Sequence, residues 1–179
     1  INNPITTTAG VTTPTNLVVQ VQDRFSNRVT PTVSSAVGIE IGHSTGILNA
    51  RFVHPTNNTV LPTILSICGS STLSFKYYDE KAGDSTIEVA EINGNLGTDS
   101  EIVTIFPAEV DHLVFTTLPL TMTAGFTHSI GTHLITIQRQ DAFNNPNTLE
   151  GARSVQIARP ASNPNVRFIS PTNPATILP

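Results

Sequence analysis

Gln20-Val21-Gln22-Asp23-Arg24-Phe25-Ser26-Asn27 returns 118 residues later as Gln138-Arg139-Gln140-Asp141-Ala142-Phe143-Asn144-Asn145. Asp and Asn bond their own backbone in turns, and Asn tolerates positive φ. Each copy therefore reads as a strand running into a tight turn, with Phe25 and Phe143 expected to plug the end of a core beneath it. Three further blocks recur in the same order. Pro4–Gly10 returns as Pro119–Gly125 (offset 115), Phe52–Asn57 as Phe168–Asn173 (offset 116) and Thr59–Pro62 as Thr176–Pro179 (offset 117). The drifts fall between the blocks, where loops tolerate insertion.

A period of about 115 residues is the size of a β-sandwich domain and far exceeds a solenoid repeat. The chain thus reads as a string of domains holding about one and a half copies, divided into 1–107 and 108–179. His112-Leu113-Val114-Phe115-Thr116-Thr117 precedes the second Pro-x-Thr-x-Thr-Ala-Gly block, but no equivalent stands before Pro4. The first module is expected to lack its first strand and the second its last ones. A start at Ile1 suggests a processed or excised segment. The missing strands are then expected from continuing chain or from another subunit, beside Leu17–Gln22 or Val155–Ile157.

Alternation supports an all-β fold. Leu17, Val19 and Val21 share one face of Leu17–Gln22, while Gln20 and Gln22 take the other. Leu73–Tyr77, Ile87–Val89, Val103–Ile105, Ile135–Ile137 and Val155–Ile157 alternate likewise. Ala82-Gly83-Asp84-Ser85 is expected to turn a corner. No window sustains a helical period. Cys68, the single cysteine, ends the apolar run Thr63–Cys68 and is expected to be buried as a small hydrophobe.

Charged residues make up 12% of the chain, about half the usual share. Thr, Ser and Asn stand in their place and suit strand faces and turns. The net charge of −4, with Lys76 and Lys81 as the only lysines, excludes a phosphate-binding basic surface. No apolar run approaches the ~20 residues of a membrane span.

The wider combination carries a resemblance. Val-Gln-Asp-x-Phe-x-Asn, followed by Phe75-Lys76-Tyr77-Tyr78-Asp79-Glu80-Lys81-Ala82-Gly83-Asp84-Ser85-Thr86-Ile87, resembles bacterial immunoglobulin-like tandem repeats of the invasin/intimin-type or filamin-like kind. It covers nearly all of the first module and the front of the second. The resemblance implies immunoglobulin-like β-sandwich modules strung along a large extracellular cell-surface protein, and no activity. Arg139 departs from it, standing where Val21 supplies a core position.

No residues assemble into catalytic, cofactor or metal motifs. His43, His54, His112, His128 and His133 form no zinc-like spacing, and the second copy replaces His54 by Ser170. Asp79, Glu80 and Asp84 bracket a turn, and Asp99, Glu101, Glu109 and Asp111 flank module ends. They lack a calcium-loop pattern, so turn capping is expected. Asn57-Asn58-Thr59 is the one glycosylation-type sequon, and nothing in position supports an amide crosslink from Lys76 or Lys81. Pro107–Asp111 is a short, Gly-free joint that should limit bending.

The expected role is non-catalytic: a structural repeat of a cell-surface filament, stalk or surface layer. Its partners would be copies of itself or adjacent repeats, polymerising by strand exchange. The alternative is an adhesin or carbohydrate-binding module, weakened by the absence of Trp and by only two tyrosines.

Overall fold

The computed structural model describes residues 4–45, 49–117, 121, 123, 134–158, 167, 168 and 170. They form ten strands: β1 (Ile5–Thr8), β2 (Leu17–Gln20), β3 (Val37–His43), β4 (Arg51–Val53), β5 (Ile64–Ile67), β6 (Thr72–Tyr78), β7 (Gly83–Glu91), β8 (Thr98–Phe106), β9 (Val110–Phe115) and β10 (Ile137–Asp141). A single 3-10 turn, Val33–Ser35, is the only helical element among the described residues. The chain divides into two compact units, Ile1–Ala108 with Ala142–Asn145, and Glu109–Asp141 with Pro146–Pro179.

Two sheets enclose one core in the first unit. The larger has the order β1-β8-β7-β3-β5, and the smaller β2-β6-β4. All pairings are antiparallel except β1 with β8, which run parallel. Period-two alternation aims Ile39 and Ile41, Ile87, Val103 and Ile105 inward from the larger sheet. Leu17, Phe52, Phe75 and Tyr77 meet them from the smaller one. Phe52 and Phe75 pack edge to face with centroids 5.4 Å apart. Each fully buried side chain of this size contributes about 1.5–3 kcal/mol.

The repeated turn builds itself locally. Asp23 Oδ1 accepts from the amides of Phe25 (2.8 Å) and Asn27 (2.9 Å), while Asn27 Nδ2 donates to Asp23 Oδ2. The Asn27 side chain above all, with these amides, holds the Asp23 carboxyl below its ordinary range. The second copy reproduces the backbone position by position. The bridge Gln22↔Arg28 recurs as Gln140↔Pro146, both shifted by 118. Likewise Val29 N donating to Val21 O recurs as Asn147 N donating to Arg139 O. Ser26 and Asn144 share a left-handed conformation, with φ of 66° and 67°.

Several expectations need correction. Phe25 does not plug a core; it is 68% exposed with Arg24 stacked over its ring. Phe143, part of the first unit, does pack against the core. Cys68 is exposed, because β5 ends at Ile67 and the inward position falls on Ile67 itself. Val155–Ile157 forms no strand; Val155 is exposed and no ladder runs beside this stretch among the described residues. The corner is Asp79–Ala82, since Gly83 already opens β7 with φ of 130°. The joint is shorter than expected, because Val110 and Asp111 belong to β9.

In the second unit, β9 and β10 pair antiparallel from Ile137↔Phe115 to Asp141↔Val110. Arg139 does not enter a core there. Its guanidinium donates to the carbonyls of Gly151 (2.7 Å) and Glu150 (3.1 Å). Glu150 Oε1 accepts from the Val110 amide at 2.7 Å, which above all holds its carboxyl below the ordinary range; Arg153 and Arg139 add to the effect.

Candidate strand-docking site

The first unit carries an open cleft of about 760 Å³ between β2 and the larger sheet. Its floor is core: Leu17, Val21, Ile39, Ile67, Phe75 and Ile87 all line it. Its rim is acidic and polar, formed by Asp23, Glu91, Asp99 and Glu101 with Gln20 and Gln22. The Glu91 carboxylate accepts from the Asn95 and Leu96 amides, which fixes the loop on the far wall.

Strand β2 is the border of its sheet, with β6 on one side only. Val21 N donates to Ser71 O at 2.9 Å, so the backbone of Val21, and by alternation of Val19 and Leu17, faces the inner side. The backbone groups of Val18 and Gln20 then face outward, along the mouth of the cleft. No strand pairs with that side among the described residues. The arrangement joins an unpaired edge to a cleft in which Ile5, Val19, Val37 and Val89 remain only half-buried, and an added strand would satisfy both.

The residues considered for chemistry do other work. Asp79 is fully buried, and its Oδ2 accepts from Tyr77 OH at 2.7 Å while Oδ1 accepts from Lys81 N at 2.9 Å. Ser85 Oγ donates to Tyr77 OH at 3.1 Å, and Thr45 Oγ1 lies 3.1 Å from the same oxygen. Burial pushes the Tyr77 hydroxyl up to about 12. Sequence reasoning missed this network, because its members come from β6, the corner after it, β7 and the loop after β3. A buried aromatic hydroxyl beside a buried carboxylate is a closed polar knot, with no face open to a substrate.

Glu80 accepts from Tyr78 OH (2.8 Å) and from Asn49, and Asp84 accepts from Thr104 (2.7 Å). His43 packs its ring on Phe52 and Tyr77 and meets Thr45 through Nδ1. His54 meets Thr56, and His112 lies beside Asp111. His128 and His133 lie outside the described residues, as do Pro119, Leu120 and Thr176–Pro179 of the repeated blocks. Among the described residues, no three His, Cys, Asp or Glu side chains gather to hold a metal ion. No helix there is long and apolar enough to cross a membrane.

The corner after β6 is capped from within the same unit. Asn145 Oδ1 accepts from Ala82 N at 2.9 Å, and its Nδ2 donates to Glu80 O at 2.7 Å. Phe143 lies so close to Gly10 (φ 80°) that a Cβ there would sit 2.5 Å from its Cζ.

No protein-family description matches the chain, and no curated protein matches it. Among solved structures it is similar to domains 5–6 of the S-layer protein SbsC, at 11% identity and a TM-score of 0.39, covering 81% of this chain and 62% of that one. It is also similar to domains 4–9 of the surface layer protein SbsC, at 12% identity and a TM-score of 0.37, covering 82% of this chain and 20% of that one. The chain spans less than two thirds of either structure.

Proposed function

We propose that the chain is a non-catalytic structural segment of an extracellular surface layer, filament or stalk, built of immunoglobulin-like modules. The modules and subunits join by strand addition at open sheet edges. The observation that carries the reading is the coincidence, along β2, of an unpaired edge with a cleft lined by the half-buried apolar side chains Ile5, Val19, Val37 and Val89. A strand-to-turn unit recurring at 118 residues supports a serial construction. The joint Pro107–Glu109 between β8 and β9 is short and free of Gly, as a load-transmitting string requires. A surface rich in Thr, Ser and Asn and poor in charge suits close lateral packing without mutual repulsion.

Electron microscopy of the native material tests this reading. Fibres or sheets with a regular repeat are expected; a population of dispersed soluble particles, stable at high protein concentration, would sink it.

A further inference from the structure

The occupant of the β2 cleft can be specified from the chain's own repeat. Strand β10 is the counterpart of β2: with the offset of 118, Ile137 falls on Val19, Gln138 on Gln20 and Arg139 on Val21. Strand β10 is covered at one side by β9, in the register Ile137↔Phe115, Gln138↔Val114 and Arg139↔Leu113. Carried back by the same offset, a β9-type strand would lie antiparallel to β2, its Phe115 position opposite Val19, Val114 opposite Gln20 and Leu113 opposite Val21.

That register agrees with the chemistry of the cleft. Directly opposed residues in an antiparallel pair share a face. Val19 and Val21 face the core side, so the Phe115 and Leu113 positions would point the same way, into the cleft that the half-buried Val37 and Val89 also line. In the second unit these two side chains are 68% and 48% exposed. They are large apolar groups on one face of a strand. The Val114 position would meet Gln20, whose outward backbone groups need partners.

The source follows from chain order. Within its own repeat, β9 comes before the Pro-x-Thr-x-Thr-Ala-Gly block and β10 after it. The offset of 115 that maps Pro119 onto Pro4 places the counterpart of Val110–Phe115 ahead of Ile1. A second copy of the chain is a poorer donor. Its β9 is already laddered to β10 along five β10 residues and would have to abandon that pairing.

We infer that the cleft along β2 is the seat of a β9-type strand running antiparallel to it, contributed by sequence that lies ahead of Ile1 in the same protein. The inference rests on the serial-module reading above and names the piece that closes the first module.

The test uses the full chain, with and without a second copy of its own Ala108–Phe115 fused ahead of Ile1. Tethering makes docking intramolecular, so that a seat of modest affinity is still filled. Hydrogen exchange is read at the Val18 and Gln20 amides. The extended chain is expected to slow both at least about tenfold over the unextended chain. The gain should vanish when the added copy carries Leu113→Asp and Phe115→Asp. Unchanged exchange in the extended, folded chain overturns the inference. So does protection in the unextended chain that rises with protein concentration, which would identify a second copy as the occupant. Failure of the array reading is separate: protected amides with only dispersed particles in the microscope would leave the seat standing and remove the layer.

Discussion

The turns Asp23–Asn27 and Asp141–Asn145 have the same pattern and the same left-handed residue, yet their aromatic rings fare differently. Phe25 stands 68% exposed under Arg24, whereas Phe143 packs on the core of the first unit beside Gly10. The strands that feed them differ in a matching way. β2 has β6 at its side and an open outer edge, while β10 has β9. Local sequence thus dictates the backbone of the turn, because the Asp carboxylate and its own amides are all it requires. What the ring touches depends on what is brought against it.

The sharpest way to break this contrast is at Gly10. Gly10→Ala places a side chain at positive φ and drives it into Phe143. The expected loss is about 2–4 kcal/mol in denaturant unfolding of the first unit. Phe143→Ala alone should cost about 1–3 kcal/mol, and it should relieve part of the Gly10→Ala penalty in the double variant. Phe25→Ala should stay within about 0.5 kcal/mol. Equal costs for the two phenylalanines would dissolve the comparison.

A middle-sized effect separates the closed core from both turns. The Tyr77 hydroxyl is raised from 10.0 to about 12, chiefly by burial. Between those values the folded state keeps a proton that the unfolded chain has lost. The Tyr77 contribution is therefore intact below pH 10 and disappears as pH climbs through about 12. Tyr77→Phe should flatten the alkaline decline of the melting temperature over that window; a parallel decline would mean that other groups set it.

The smallest effect lies in the second unit, where Glu150 holds the start of β9. Its carboxyl sits below the ordinary value of 4.5, chiefly because the Val110 amide donates to it. A depressed carboxyl supports the fold above 4.5 and loses that support as pH falls through its folded value. Glu150→Gln should speed exchange of the Val110 amide a few-fold at neutral pH and leave Val18 and Gln20 untouched.

The repeat, and with it the turn, was legible in the sequence because the turn's chemistry is local. Strands β2, β6, β7 and β8 were legible because Leu17–Val21, Leu73–Tyr77, Ile87–Val89 and Val103–Ile105 place apolar residues at alternate positions. β3 alternates through Val37, Ile39 and Ile41 but escaped reading because Gly38 and Gly42, poor strand formers, occupy its other face, and β4, at three residues, is too short to show any alternation. Val155–Ile157 alternates as a strand should but has no ladder beside it among the described residues, and alternation without a partner makes no strand. The exposure of Phe25 and Cys68, and the burial of the Tyr77–Asp79–Ser85 knot, depend on where the second sheet packs, which the local pattern does not state. The open side of β2, with its cleft and acidic rim, needed the sheets assembled.

That open side has a colloidal consequence. Natural sheet borders are blunted by lysine, proline or inward-pointing charge, and Leu17-Val18-Val19-Gln20-Val21-Gln22 has none of these, with Val18 59% exposed. Left bare, such a border is a template that accepts any extended segment it meets, including those of partly unfolded chains. Purified alone, the segment should therefore turn cloudy with concentration and warming. A lysine at position 18 would keep it clear, and a seated strand would make that lysine unnecessary.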